Sequence, residues 1–322
     1  MTVSVVIPVY NSAASLPLLM ERLQPVLDHL DPGAEVILVN DGSRDESWSV
    51  IEQLAQRYRS IRGINLMRNS GQHNALLCGI RAARREIVVT IDDDLQNPPE
   101  EIPKLLTALG DQCDVVYGRP ATEQHGLLRD LASYVTKLAL ASAMGVATAR
   151  HVSAFRAFRT ALRQAFSAFR GPFVSIDVLL TWGTTRFTAV TVRHERRAIG
   201  ASTYTVGRLI AHALNMMTGF SVRPLQAASI LGFVFTLFGG GVLSFTLLRY
   251  WISGGGIPGF PFLASIISIF AGAQLFALGI IGEYLARMHF RMMDRLPYTV
   301  RERTAAEPLA DGAKAGEPAA PC

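Results

Sequence analysis

The stretch Ile87-Val88-Val89-Thr90-Ile91-Asp92-Asp93-Asp94-Leu95-Gln96-Asn97-Pro98-Pro99 decides how the chain is read. Ile87 to Ile91 form a short apolar and β-branched run, the mark of a buried strand in a parallel sheet. Three aspartates follow at once, and Pro98 and Pro99 stop further extension. In an open α/β sheet, ligands gather outside the carboxyl ends of such strands. Three crowded carboxylates repel one another, and a cation among them removes that repulsion. Mg2+ or Mn2+ suits the donors, because hard ions take carboxylate oxygens and leave positions open for substrate phosphates. The competing reading is a solvated acidic turn.

Upstream, Val3–Val9, Glu35–Asn40 and Ile61–Met67 read as strands. Leu16–Leu30, Ser47–Tyr58 and Gln72–Ala83 carry helical spacing between them. Downstream, Glu100–Leu109 reads as a helix and Asp114–Tyr117 as a strand, with Arg119 beside Gly118 at its end. Strands alternating with helices predict a parallel, doubly wound sheet. Right-handed crossovers then bring Asn11, Asp41 and Asp92–Asp94 to one sheet edge. Asp41-Gly42-Ser43 reads either as a turn and helix cap or as an acceptor for a nucleotide base or ribose. Residues 1–204 contain no G-x-G-x-x-G, and the chain has no G-x-x-x-x-G-K-[ST]. Without a glycine cradle, a metal is the expected holder of a diphosphate.

The 322 residues are 49% hydrophobic, and the apolar surplus lies late in the chain. Pro224–Leu248 carries no charge, nor does Tyr250–Gly282. A membrane span needs roughly 20 apolar residues. Transmembrane helices are therefore expected at about 225–248 and 262–284, joined by the Gly/Pro turn Ser253–Pro261. Arg208 and Arg223 precede the pair, and Arg287, Arg291, Arg295, Arg301 and Arg303 follow it, with only Arg249 near the turn. That bias predicts both termini in the cytoplasm. Leu127–Met144 and Thr205–Phe220 are amphipathic, fit for a core or for a membrane surface. The expected division is a cytoplasmic domain over 1–204, an interfacial helix over 205–223, a hairpin over 224–286, and a basic segment with a disordered tail over 287–322. A net charge of +5 suits phosphates and anionic lipid; no nucleic-acid motif accompanies it. Cys78, Cys113 and Cys322 are isolated and fit a reducing compartment. The N-terminus lacks the basic region of a signal peptide.

Four features together resemble family 2 glycosyltransferases that act on polyprenyl phosphates. They are Val5-Val6-Ile7-Pro8-Val9-Tyr10-Asn11, Asp41-Gly42-Ser43, Asp92–Glu100 and the C-terminal hairpin. That group includes dolichyl-phosphate mannose synthase, bactoprenol glucosyltransferases and the undecaprenyl-phosphate aminoarabinose-type transferases. Asn69-x-Gly71-Gln72-His73-Asn74 and Gln96–Pro103 stand nearest the last of these. The resemblance implies a Rossmann-like GT-A sheet, mostly parallel, with helices on both faces. It implies transfer of a sugar, expected as a UDP conjugate, to undecaprenyl phosphate at the cytoplasmic face of a bacterial inner membrane, for cell-envelope or lipopolysaccharide modification. Pro8, Tyr10, Asn11, Asp41 and Asp92 would hold the nucleotide, and Asp92, Asp94 and Gln96 a Mg2+ or Mn2+ ion. Asp94, Arg119, Arg129 and Arg197 would serve the reaction, the arginines near the acceptor phosphate. The bilayer and a second copy of the chain, as a homo-oligomer, are the other expected partners.

The chain departs from the family pattern in places. Ser12 stands where relatives often have Glu, and Asp93 where they usually have a small residue. Arg150 replaces an Asp, and Thr203 replaces a Lys. A sugar-nucleotide-binding or scaffold subunit with weakened catalysis is therefore an alternative. A processive polysaccharide synthase is another, opposed by only two spans and by the absence of a Gln-x-x-Arg-Trp motif.

Overall fold

The computed structural model describes residues 1–30, 33–120, 152–171, 174–195, 223–253, 259–293 and 295–304. Strands β1 (Val3–Val9), β2 (Glu35–Asn40), β3 (Ile61–Leu66) and β4 (Ile87–Thr90) are parallel neighbours in the order β4-β1-β2-β3. Helices α1 (Ser15–Leu30), α2 (Ser47–Arg57) and α3 (Gln72–Ala82) connect them. β1, β2 and β4 are buried along their whole length, as apolar strands covered on both faces must be. Alternate residues face opposite layers. Val3, Val5, Ile7 and Val9 join Leu16, Leu19, Leu23 and Leu27 of α1, whereas Val6 joins Ala75, Leu76 and Ile80 of α3.

The remaining strands make the sheet mixed, with the order β7-β5-β6-β4-β1-β2-β3-β8. β5 (Val115–Pro120) follows a 3-10 turn (Pro99–Glu101) and α4 (Ile102–Ala108). β6 (Arg156–Arg159) wedges antiparallel between β4 and β5, and β7 (Phe187–Val192) pairs parallel with β5. A short helix, α5 (Ile176–Thr181), packs below them. The sequence pattern does not single out β6, because Arg156 and Arg159 interrupt its apolar alternation.

Helices α6 (Arg223–Ser253) and α7 (Phe260–Met292) are longer than the expected spans. Within them Leu225–Arg249 and Ile269–Phe290 have the length and composition to cross a membrane, and neither is buried inside the fold. β8 (Val300–Arg303) then returns to the sheet, antiparallel to β3. This corrects the sequence division at one point: part of 287–322 belongs to the sheet rather than to a segment outside it. The amphipathic stretches 127–144 and 205–220, the turn residues 254–258 and the tail from 305 onward lie outside the described residues.

Candidate active site

The carboxyl ends of β1, β2 and β4 and the loop after β3 surround one cleft of about 280 Å3. Pro8, Val9 and Tyr10 come from β1 and its end, Asp41 from the end of β2, and Asn69, Gly71 and Gln72 from the loop into α3. Asp92, Asp93 and Asp94 form the fourth side. The bend that presents these aspartates turns on Leu95, which holds a left-handed φ of 62° and is buried. A bulky residue adopts that conformation at a cost of about 1 kcal/mol or more, and burial of Leu95 among the β1 and α4 core residues holds it there.

Each aspartate has a different environment. Gln72 donates to Asp92 Oδ1 from 2.7 Å. Burial, then the charges of Asp94 and Asp93, push the Asp92 carboxyl up to about 7. Asp93 Oδ2 accepts from the Ser12 hydroxyl at 2.5 Å and from the Tyr10 N–H at 3.3 Å. Burial raises its pKa, and those two donors oppose the rise. Asp94 Oδ1 accepts the Gln96 N–H at 3.1 Å.

Asp41 is 2% exposed, and its two oxygens accept the Ser70 and Gly71 N–H groups at 2.7 and 2.8 Å. Burial pushes its pKa up against those bonds. The carboxylate thus shapes the 68–71 loop while still lining the cleft. Gly42, at φ 64°, allows the same approach: a Cβ there would lie 2.4 Å from the Asn69 nitrogen. Asp41-Gly42-Ser43 thus forms a turn, and Asp41 also lines the cleft.

Not every residue expected at the site reaches the cleft. Asn11, also left-handed at φ 53°, clips the neighbouring loop instead: its N–H donates to Ser43 Oγ at 2.9 Å and its Oδ1 accepts the Arg44 N–H at 2.8 Å. Gln96 does not line the cleft; it braces Asp94 and accepts the Glu195 N–H at 2.8 Å through its carbonyl. Arg119 lies inside β5, exposed, opposite Thr191 and away from the cleft lining. Arg129 and Arg197 lie outside the described residues, as do Arg150 and Thr203.

Behind Asp92 sits a polar cluster that sequence reasoning missed. Arg156, 1% exposed, forms an ion pair with Asp177 and donates to Thr90 Oγ1 at 3.1 Å. The Tyr117 hydroxyl donates to Asp177 at 3.1 Å. Lone charges inside the apolar runs 155–158 and 176–180 were the available signal.

Among the described residues, no three His, Cys, Asp or Glu side chains close into a metal cage. The donor set fits an open site instead, in which one or two carboxylates and substrate phosphates share a hard ion. Asp92, Asp93 and Asp94 line the same cleft, and the Asp92 carboxyl is raised first by burial and then by the two neighbouring charges.

The family model for glycosyl transferase family 2 matches residues 4–168. Among curated proteins, the undecaprenyl-phosphate 4-deoxy-4-formamido-L-arabinose transferase of Pseudomonas savastanoi pv. phaseolicola is 36% identical over 292 residues, covering 89% of this chain and 86% of that one. The enzyme of the same name from Pseudomonas aeruginosa strain PAO1 is 35% identical over 316 residues, covering 96% and 92%. Among solved structures, glucosyl-3-phosphoglycerate synthase from Mycobacterium tuberculosis, in complex with Mn2+, UDP and phosphoglyceric acid, shares the fold with a TM-score of 0.50 at 20% identity. The match covers 67% of this chain and 76% of that one.

Proposed function

The chain belongs to glycosyl transferase family 2, and from that premise we propose that it transfers a sugar from a nucleoside diphosphate to undecaprenyl phosphate at the cytoplasmic face of a membrane. The observation that carries this reading is the cleft in which Tyr10, Asp41 and Asp92–Asp94 meet at the carboxyl ends of three parallel strands. The names of the relatives make 4-deoxy-4-formamido-L-arabinose the first sugar to test, and UDP the first nucleotide.

In this reading the exposed Tyr10 ring and Pro8 offer an apolar face to the base. Asp92 and Asp94 would hold a divalent ion, which when bound supplies Lewis-acid neutralisation of the diphosphate. A phosphate oxygen of the lipid attacks the anomeric carbon as the carbon–oxygen bond to the nucleoside diphosphate breaks, with inversion. A phosphate monoester is already mostly ionised at pH 7, so the acceptor needs no strong general base. The substitution of Asp by Arg at position 150 is compatible with that chemistry. Arg119, exposed on β5 outside the cleft lining, and Arg129 and Arg197 are proposed for the approach of the acceptor phosphate rather than for the donor cleft, a task that suits permanent, forked cations.

The hairpin supports the membrane assignment by its connections. β1 to β7 precede α6 and β8 follows α7, yet all belong to one sheet. The two helices must therefore leave and re-enter on the same side of the bilayer, as the arginine bias requires. The test is to incubate membranes holding the chain with radiolabelled UDP-sugars and undecaprenyl phosphate. Labelled lipid is expected, and its absence across a sugar panel that includes the formamido-arabinose donor would refute the proposal.

A further inference from the structure

β8 follows the membrane hairpin in sequence, yet it braces the edge of the sheet next to the cleft. The Thr304 N–H donates to the Gly63 carbonyl at 3.0 Å, and the Gly63 N–H donates to Thr304 Oγ1 at 2.8 Å. The Met67 N–H donates to the Thr299 carbonyl at 2.9 Å. Met67 opens the loop that carries Asn69, Gly71 and Gln72 into the cleft.

A chain of side-chain hydrogen bonds runs inward from the same strand. Asn65 Nδ2 donates to Glu302 Oε1 at 2.7 Å, and Asn40 Nδ2 donates to Asn65 Oδ1 at 2.8 Å. The Ser43 N–H donates to Asn40 Oδ1 at 3.4 Å, and the Asn11 N–H donates to Ser43 Oγ at 2.9 Å. An amide has one accepting and one donating end. Glu302 only accepts, so it fixes which end of Asn65 faces outward, and Asn65 in turn fixes Asn40. Both asparagines are buried, at 5% and 3% exposure, and a flipped or unpartnered amide there is costly. Asn40 directly precedes Asp41, whose carboxylate holds the cleft loop.

We propose that Glu302 is a positioning residue for donor binding, acting through Asn65 and Asn40 on the loops at the ends of β2 and β3. The strand that returns from the membrane hairpin would then set nucleotide affinity. This rests on the sugar-nucleotide reading of the cleft.

The test uses the full chain purified in detergent, titrated calorimetrically with UDP in the presence of Mn2+. Glu302→Ala removes the acceptor and should weaken UDP binding about three- to tenfold, the scale of one hydrogen bond. It should raise the donor KM while leaving kcat near wild type. Glu302→Gln keeps an accepting oxygen and should bind UDP like wild type. In an Asn65→Ala background, adding Glu302→Ala should cost little more, because its route is already cut. Unchanged UDP binding by Glu302→Ala would overturn the inference. So would equal losses for Ala and Gln, an undiminished loss in the Asn65→Ala background, or a lowered melting temperature with an unchanged donor KM. Absence of UDP binding by the wild-type chain would overturn the donor reading, and this inference with it.

Discussion

The hydroxyl of Ser12 donates a 2.5 Å hydrogen bond to Asp93 Oδ2, joining two positions that the sequence resemblance sets apart from the family pattern. A Glu at position 12 would face a carboxylate at 93, and a small residue at 93 would leave Ser12 without its acceptor. Ser12 and Asp93 are thus partners in this site, and a change at one should be felt at the other. Two unit charges 4 Å apart repel by about 1 kcal/mol in water and about 4 kcal/mol near a protein surface. Ser12→Glu alone should raise the donor KM at least about tenfold, and adding Asp93→Ala should recover most of that loss. Steady-state kinetics on the three variants checks it; a double variant no better than Ser12→Glu would show the positions to be independent.

Asp94 should be indispensable to turnover and dispensable to folding. It sits on a bend held by the burial of Leu95, and its removal relieves repulsion on Asp92. Asp94→Ala should lower transfer at least about hundredfold while the melting temperature stays at or above the wild-type value. Chelation of divalent ions should produce the same loss in the wild type. Near-normal turnover by the variant would remove the metal role from this carboxylate.

Much of this was legible before any coordinates. The apolar runs of β1, β2 and β4 marked these strands, to within a residue at the end of β4. Strands buried on both faces are mostly apolar and hold polar residues such as Glu35 and Asn40 only with partners. The acidic bend and Asp41 stood out by ending such runs. What could not be read depends on contacts distant in sequence. β6 carries Arg156 in its interior because Asp177, 21 residues on, neutralises it. β8 reads as a basic tail of Val-Arg-Glu-Arg, and only pairing with β3 makes it a strand. Asn11 and Gln96 have the right chemistry at the right strand ends, but both are spent on bracing neighbouring loops. Motif position located them; side-chain direction was not in the motif.

Asp114 gives the fold an acid-sensitive joint. Arg186 grips it through both carboxylate oxygens at 2.9 and 2.6 Å, and Thr184 donates at 2.6 Å. The Arg186 bonds, with that from Thr184, hold its pKa down to about 2 against burial. A depressed folded-state pKa contributes stability that is complete above the unfolded value near 3.9 and is lost as pH falls through the folded one. Wild type should exceed Asp114→Asn by about 1–2 kcal/mol at pH 6, allowing for screening by solvent. That gap should narrow between pH 4 and pH 2 and close below it. Chemical unfolding of both proteins across that range measures the gap, and a gap constant with pH would show that the carboxylate charge is not its source.

The proposed membrane topology predicts which parts of the chain face which side of the bilayer. Because β8 pairs with β3 within the sheet that holds β1 and β4, residues before α6 and after α7 share one compartment. The connection between the helices must then lie on the other side if both span the membrane. Arginines cluster at the sheet side of the pair, and in the orientation proposed above that side faces the cytoplasm. With Cys78, Cys113 and Cys322 replaced by Ser, a cysteine at Gly256 should react with a membrane-impermeant maleimide added to cells with a permeable outer envelope. A cysteine at Glu52, exposed on α2, should react only after the inner membrane is opened. Labelling of position 52 alone from outside would reverse the orientation of the domain, and labelling of both would mean that the hairpin does not separate them across the membrane. Labelling of neither before permeabilisation would mean that α6 and α7 lie along the bilayer instead of crossing it.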